Sequence, residues 1–209
     1  MISEFDGKAA DWDKNPMHYD RSVAITSLMK EIIPLNDLMT ALEFGAGTGI
    51  ASFLLKDYLR EITLMDNSVE MVRVMNEKIK ATRAKNLKTV YFDLEHYDFS
   101  EGKFDLIFTH MVLHHVTDTE KIIKKFSGLL NPGGHLALAD LYTEDGLFHG
   151  DSFSGHRGFD VELLSGLIRD QGFFNVSHRK CFVIDRKLSE TETKQFDVFL
   201  LTAQRKTSE

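Results

Sequence analysis

Short apolar runs alternate with helical patterns along most of this chain, and no other sequence feature constrains its fold as strongly. The apolar runs have the length of buried strands, and five of them lie at residues 38–44, 61–65, 88–92, 104–111 and 135–141. Helical patterns precede, separate and follow them, at residues 21–33, 48–59, 68–83, 118–130 and 160–170. Because parallel strands need long crossover connections, usually helices, the alternation predicts a doubly wound, Rossmann-like α/β fold with helices on both faces.

The last part of the chain breaks this alternation. Two strand-like runs, residues 175–184 and 195–203, follow one another without a helix between them. They predict a terminal hairpin in which one strand is antiparallel, and they bring the sheet to seven strands. Residues 1–20 are polar with isolated aromatic side chains, so we predict an N-terminal arm that leads into a helix ending by residue 34. Residues 35–209 are then the α/β domain.

The composition excludes several classes of protein. The 25 Lys and Arg residues against 32 Asp and Glu give a net charge of −7, which argues against a nucleic acid partner. The single cysteine, Cys181, excludes a disulfide framework within the chain and a zinc site built from several cysteines. No apolar run approaches the roughly 20 residues that span a bilayer, and the N-terminus lacks the pattern of a secretory signal. We therefore expect a cytoplasmic protein without integral membrane association.

A glycine-rich turn after the first predicted strand is the strongest candidate for a ligand site. Three glycines at alternate positions let the chain turn sharply and bring backbone N–H groups close to a ligand, beside the positive end of the next helix. A dinucleotide fingerprint would have a small residue at position 50, which is Ile50, and a phosphate-binding P-loop would contain a lysine. Glu43, just before the glycines, suits a cationic group better than a pyrophosphate. The full motif is Glu43-Phe44-Gly45-Ala46-Gly47-Thr48-Gly49.

Acidic residues follow the second and third predicted strands. Asp66 lies 66 − 45 = 21 residues after Gly45, about where a carboxylate that binds a ribose belongs. Ser68 is the better cap for the next helix, which leaves Asp66 available for two vicinal hydroxyls. Asp93 is placed to accept a hydrogen bond from an adenine amino group while Leu94 covers the ring. A surface loop acid is an equally good interpretation of Asp93 taken alone.

Further motifs follow in a fixed order, and together with the glycine turn and the two acids they resemble the class I S-adenosylmethionine-dependent methyltransferases. The likeness is to the small-molecule branch similar to the ubiquinone/menaquinone methyltransferases and covers residues 38–204. It implies the strand order 3-2-1-4-5-7-6 with the seventh strand antiparallel, and residues 1–34 resemble part of that branch's N-terminal lid. The further motifs are Phe104-Asp105-Leu106-Ile107, Leu113-His114-His115-Val116 and Leu130-Asn131-Pro132-Gly133-Gly134.

The resemblance also implies S-adenosylmethionine as the cofactor, S-adenosylhomocysteine as its product, and a set of cofactor-binding residues. The glycine turn would line the methionine part, Asp66 would hold the ribose, and Asp93 would lie at the adenine. Thr109 would lie beside the sulfonium, and Glu43 would organise the amino group or the turn. The implied residues are Glu43, Gly45, Ala46, Gly47, Gly49, Asp66, Asn67, Met71, Asp93, Leu94 and Thr109.

Methyl transfer needs an acceptor atom held in line with the sulfur–methyl bond, about 3–3.5 Å away. It also needs a general base if the accepting atom carries a proton. His114 and His115 are the leading candidates for that base, because an unperturbed imidazole titrates near neutrality. For His115, packing at the rim of the site is an equally good interpretation. Asp140, at the end of the fifth predicted strand, is the second candidate, with anchoring of a loop as its alternative.

Residues 142–158 form a stretch without predicted secondary structure that is rich in Gly, His and Phe, which is typical of a lid or binding loop. We expect it to cover a small-molecule acceptor together with the N-terminal arm. Arg157 fits a substrate carboxylate, although a solvated arginine explains it better when taken alone. The predicted substrate-binding residues are Trp12, His18, Tyr19, Tyr142, His156 and Arg157.

Other interpretations remain open. His110, His114 and His115 have metal-ligand spacing only if that stretch is helical, so no metal is predicted. A methyltransferase for a macromolecule is disfavoured because no Asn/Asp-Pro-Pro-aromatic motif and no basic face are present. A non-catalytic nucleotide-binding module is the third possibility. The accepting atom is not identified by the sequence, and either a monomer or a homodimer is compatible with it.

Overall fold

One seven-stranded sheet forms the centre of the protein in a computed structural model that describes residues 5–150 and 152–207. Residues 1–4 of the predicted arm and Asp151 of the 142–158 loop lie outside the described residues. The strands are β1 (Thr40–Phe44), β2 (Glu61–Asp66), β3 (Leu87–Tyr91), β4 (Phe104–His110), β5 (Leu130–Leu141), β6 (Phe173–Lys187) and β7 (Thr193–Arg205).

The strand order is β3-β2-β1-β4-β5-β7-β6, which confirms the predicted topology. β1 to β5 pair in parallel, whereas β7 is antiparallel to both β5 and β6. The order reverses between β1 and β4, where the crossovers on either side turn in opposite directions. This is the place where open α/β sheets bind ligands, beyond the carboxyl ends of the strands.

The helices begin at side-chain caps that the sequence makes recognisable. Ser68 accepts a hydrogen bond from the Met71 N–H, and Asp160 accepts one from the Glu162 N–H. These caps confirm the predicted starts of the third and fifth helices. The helices are α1 (Pro16–Ile32), α2 (Ile50–Leu55), α3 (Val69–Thr82), α4 (Thr119–Leu129) and α5 (Val161–Asp170), and 3-10 helices span Asp6–Lys14, Lys56–Tyr58 and Leu113–His115.

Two predicted boundaries are wrong. α1 begins at Pro16 instead of residue 21, because the Asn15 side chain caps it through the Met17 N–H at 3.1 Å and a proline suits the first turn. β5 begins at Leu130, directly after α4, instead of at residue 135, so the motif Leu130-Asn131-Pro132-Gly133-Gly134 lies inside a strand. The pairing with β4 shifts register there, which accommodates Pro and Gly at that end of the strand.

Both faces of the sheet are covered, as expected for parallel strands that are apolar throughout. On one face Leu42 of β1 belongs to an apolar cluster with Phe126 of α4. On the other face the neighbouring residue Ala41 belongs to a cluster with Ile25 and Met29 of α1. α1 is thereby fixed to the sheet, with its N-terminal end near the ligand-binding edge. Among the described helices, none has the length and apolarity required to cross a membrane.

Candidate functional site

A cavity opens beyond the carboxyl ends of the parallel strands, at the predicted position. Its lining atoms surround about 960 Å³ of space, the part open to solvent included. Eight of the residues predicted for the cofactor line it: Gly45, Ala46, Gly47, Asp66, Asn67, Met71, Asp93 and Leu94.

The glycine turn has a geometry that larger residues would not adopt. Gly45 has φ +67°, and a Cβ on it would lie 2.6 Å from two methyl carbons of Val112. Gly47 has φ +57°, and its backbone N–H donates to Asp66 Oδ2 at 2.7 Å. Left-handed φ values and close approach of the backbone both favour glycine. The turn and the second strand end are therefore joined by a direct hydrogen bond.

Asp66 is 8% exposed and its two oxygens are already in use: the Ser68 N–H donates to Oδ1 at 2.8 Å, and Gly47 donates to Oδ2. Burial raises its pKa to about 6, although these hydrogen bonds act in the opposite direction. Each carboxylate oxygen can accept more than one hydrogen bond. The carboxylate thus shapes the turn and retains acceptor capacity towards the cavity.

Asp93 also makes contacts within its own turn. Its Oδ1 accepts from the Glu95 N–H at 3.1 Å, and its Oδ2 lies 2.8 Å from His96 Nδ1. These contacts hold the turn after β3 in place, and Asp93 and Leu94 both line the cavity. The two interpretations offered by the sequence, a loop acid and a ligand contact, are therefore compatible here.

Several buried polar atoms around the ends of β1 and β4 have no hydrogen-bond partner within the described part of the chain. Glu43 Oε1 and His110 Nδ1 are two of them and lie 3.6 Å apart. The others are Thr109 Oγ1 and Arg21 Nε. Arg21 and His110 line the cavity, whereas Glu43, Gly49 and Thr109, which were predicted for the cofactor, do not. All three of those residues are buried.

Burial is the largest cause of the shifted pKa values of Glu43, His110 and Arg21. It raises the pKa of Glu43 to about 8, although Ser52 Oγ donates to the carboxylate, and it lowers the pKa of His110 to about 3. It also lowers the pKa of Arg21 to about 10. No carboxylate lies within ion-pair distance of the Arg21 guanidinium among the described residues. A ligand carrying a carboxylate and a cationic group fits such a wall, and S-adenosylmethionine carries both on its methionine part.

Residues of the N-terminal arm close the cavity on the opposite side. Trp12 and His18 line it, with their rings stacked at 4.2 Å, and burial lowers the pKa of His18. Asp13 fastens the arm, because Thr48 Oγ1 donates to its Oδ1 at 2.5 Å and Lys78 Nζ lies 2.7 Å from its Oδ2. The arm is therefore tied to both the glycine turn and α3.

The two adjacent histidines lie in one 3-10 turn after β4, where the sequence predicted a loop. His114 is buried, and its Nδ1 lies 2.7 Å from Oδ1 of the equally buried Asp140. Its backbone N–H donates to the other oxygen of Asp140 at 3.1 Å. His115 lines the cavity, and burial, followed by the neighbouring imidazoles, lowers its pKa to about 3. His114 and Asp140, which the sequence offered as alternative bases, are thus in direct contact, and of the three candidates only His115 lines the cavity.

A third imidazole, which sequence reasoning missed, joins this pair. His149 of the 142–158 loop lies 4.8 Å from His114 and 5.4 Å from His115 between ring centroids. Burial lowers its pKa to about 4. Arg21 was missed for another reason, since an arginine in a predicted helix usually points to solvent. The left-handed backbone of Met111, φ +58°, is a third feature at this edge that carries no sequence signal.

The remaining substrate predictions are not brought to the cavity. Tyr19 is 53% exposed on α1. Tyr142 packs on Phe199, and Arg157 lies beside Gly146 within its own loop. His156 lines an adjoining groove, where its backbone N–H donates to the His114 carbonyl at 2.8 Å.

Comparisons with known proteins agree with this geometry. The sequence profile of a methyltransferase domain family matches residues 42–138. An uncharacterized methyltransferase of Schizosaccharomyces pombe is 29% identical over 153 residues, which cover 66% of this chain and 54% of that protein. The chain therefore matches about half the length of this relative.

Two solved structures share the fold. A putative methyltransferase of Haloferax volcanii, in complex with the Trm112 methyltransferase activator, superposes with a TM-score of 0.78 at 20% identity and full coverage of both chains. Phosphoethanolamine N-methyltransferase 2 of Haemonchus contortus, in complex with S-adenosylmethionine, gives 0.71 at 15% identity, covering 90% of this chain and 53% of that one. The sheet order, the glycine turn and the profile match over residues 42–138 together support a class I S-adenosylmethionine-dependent methyltransferase.

Proposed function

We propose that this protein transfers the methyl group of S-adenosylmethionine to a small molecule held between the cavity and its adjoining groove. The observation that carries the proposal is the cover over the cofactor cavity: Phe5 and Trp12 of the arm close one side, and residues 152–156 line the groove beside it. Phe5 and His115 line both spaces, so an acceptor in the groove would lie next to the cofactor. A macromolecular acceptor would instead require an open surface around this edge.

The cofactor would be held by residues that the family motif and the cavity have in common. Asp66 would accept hydrogen bonds from the ribose hydroxyls, and Asp93 and Leu94 would hold the adenine. The backbone from Gly45 to Gly47 would contact the methionine part. When bound, S-adenosylmethionine supplies a methyl carbon on a positively charged sulfur that leaves with the bonding electrons.

Arg21 would bind the carboxylate of the methionine part. The Arg21 guanidinium is buried, its Nε has no hydrogen-bond partner among the described residues, and Met17 Sδ and the more distant charge of Asp140 compensate only part of its lost solvation. Its planar array of donors matches a carboxylate in a bidentate geometry. A bound carboxylate at the cavity wall would provide the missing charge.

His115 is the group we propose to contact the acceptor, because it is the catalytic candidate that lines both spaces. His114 and Asp140 would act as positioning residues behind it. The Asp140 carboxylate accepts hydrogen bonds from the His114 backbone and ring, which fixes the orientation of that imidazole. His115 would then position the accepting atom at the cavity.

The proposal is tested by a methyl transfer screen with labelled S-adenosylmethionine. Pools of thiols, phenols, quinols, amines and carboxylates form one arm, and RNA, DNA and protein pools form the other. We expect transfer in the small-molecule arm, and loss of at least about 100-fold in kcat for His115→Ala with unchanged affinity for S-adenosylhomocysteine. Transfer only to a macromolecule pool would contradict the small-molecule acceptor.

A further inference from the structure

We propose that His114, His115 and His149 bind one divalent transition-metal ion at the edge of the cavity, with a coordination position open to the acceptor. The three residues come from two separate segments, the 3-10 turn after β4 and the 142–158 loop. One ring nitrogen from each lies within 4.8 Å of the other two. Imidazole nitrogen is a common ligand of Zn²⁺ and of neighbouring transition metals.

His114 is oriented as a metal ligand would be. Its Nδ1 lies 2.7 Å from Asp140 Oδ1, so this nitrogen carries the proton and donates, which leaves the lone pair on Nε2. Asp140 is itself oriented by the backbone N–H groups of His114 and Leu141. A carboxylate that receives the second N–H of a ligating histidine is the usual outer support of a metal site.

Aromatic side chains hold the other two imidazoles in place. Phe153 stacks on the His149 ring at 4.0 Å and packs edge-on against His115 at 5.2 Å. Phe148 contacts His149 from another side at 4.7 Å between centroids. This shell keeps the loop histidine close to the two histidines of the sheet edge.

The ligand set indicates the class of ion and its use. Three imidazoles without a thiolate or a carboxylate in the set suit Zn²⁺, Co²⁺ or Ni²⁺ better than Mg²⁺ or Ca²⁺. Three protein ligands leave a fourth position, as in catalytic zinc sites. His115 lines the cavity, so this position would face an acceptor with an oxygen or sulfur donor atom. The choice of acceptor rests on the proposed function, whereas binding of the ion does not.

The test is Co²⁺ titration of the full chain after removal of metals with a chelator, followed by visible absorption and by metal analysis after gel filtration. We expect one ion per chain and the intense absorption of a four-coordinate site. His149→Ala should weaken binding by at least about 30-fold, and Asp140→Asn by about 10–100-fold. His149→Cys should restore binding and add a thiolate-to-cobalt band, which a merely structural histidine would not produce.

His178→Ala is the matched control, since His178 pairs with Glu162 on the α5 side of the sheet. It should bind Co²⁺ like the wild type. The metal site is refuted if the wild type binds Co²⁺ no more tightly than His149→Ala does. It is also refuted if His178→Ala loses as much Co²⁺ affinity as His149→Ala, and the three rings are then packed side chains only. Calorimetry with S-adenosylhomocysteine is run on every variant. Failure of the wild type to bind it would refute the proposed function without affecting the metal result.

Discussion

Arg21 is buried with an unpartnered Nε among the described residues. Its proposed contact with the carboxylate of the cofactor can be tested by comparing two nucleosides that differ in that carboxylate. Arg21→Gln should weaken S-adenosylhomocysteine by about 10–100-fold, the usual cost of losing hydrogen bonds to a charged group. It should leave 5′-methylthioadenosine, which lacks the amino-acid part, unchanged. Trp12 is the only tryptophan and lines the cavity, so its fluorescence reports both titrations.

Equal weakening of both ligands would show that Arg21 supports the shape of the cavity. Unchanged binding of both would contradict its assignment to the cofactor carboxylate. Arg73→Gln is a suitable control, because Arg73 lies on the surface of α3 and pairs only with Glu70 and Glu77 among the described residues.

Glu43 gives the ligand-free protein a pH-dependent stability. Burial raises its pKa from 4.5 to about 8, so its stabilising contribution is complete below 4.5 and is lost as pH rises through 8. His110 beside it has its pKa lowered to about 3, and its contribution is lost as pH falls from 6.5. Below pH 6.5 the titrations of Glu43 and His110 change the free energy of unfolding in opposite directions. Between pH 6.5 and pH 8, Glu43 alone of the two changes it.

In that window the free energy of unfolding should fall with pH by up to about 1.4 kcal/mol per unit in the wild type. The slope should disappear in Glu43→Gln and persist in Glu101→Gln, where the replaced carboxylate is exposed. Urea unfolding of ligand-free protein at several pH values measures all three. Parallel curves for the wild type and Glu43→Gln would refute the raised pKa of Glu43.

At the scale of elements, the N-terminal 3-10 helix is held over the cavity by polar contacts at both ends: Ser68 Oγ donates to Asp6 at its start, and Asp13 is the contact near its end. Asp13 receives hydrogen bonds from both Thr48 and Lys78, and Lys78 Nζ also donates to the Thr48 carbonyl at 2.9 Å. Removing the Asp13 junction should loosen this end of the arm without affecting the sheet, because the 3-10 helix contributes only Ala9 to the buried apolar residues. We therefore interpret the arm as part of a lid.

Asp13→Ala should increase the dissociation rate of S-adenosylhomocysteine by about 10-fold, in line with loss of one or two hydrogen bonds in the closed state. Stopped-flow fluorescence of Trp12 follows the release. Asp11→Ala is the matched control, because Asp11 on the same 3-10 helix is exposed and pairs with Lys14. Equal rates for the two variants would argue against a lid.

At the scale of the whole molecule, cofactor binding joins the arm, the glycine turn and the strand ends, so it should stabilise the entire fold. S-adenosylhomocysteine at 100 times its Kd should add about 2.7 kcal/mol to the free energy of unfolding. For a chain of this size that corresponds to a rise of roughly 5–10 °C in Tm. NAD at the same concentration should produce no rise. Thermal unfolding with each ligand decides between a methyltransferase site and a dinucleotide site.

The strands and helices were predictable because they depend on patterns that are local in sequence, whereas the strand order followed from the family resemblance. Buried strands such as Phe104–His110 are apolar throughout, and caps such as Ser68 mark where helices begin. The Asn15-Pro16 cap was readable in the same way but was missed. The strand position of residues 131–134 was not readable, because proline and glycine there are tolerated only through a register shift set by β4.

By itself, the sequence determined the alternation of strands and helices, the glycine turn, and the acids that follow β2 and β3, since each is a short pattern in the chain. Only the tertiary structure decided what surrounds them. Burial of Arg21 without a carboxylate partner among the described residues depends on how α1 packs on the sheet. Contact of His149 with His114 depends on a loop folding back across 35 residues of chain (149 − 114 = 35). Such contacts join residues distant in sequence, and no local pattern records them.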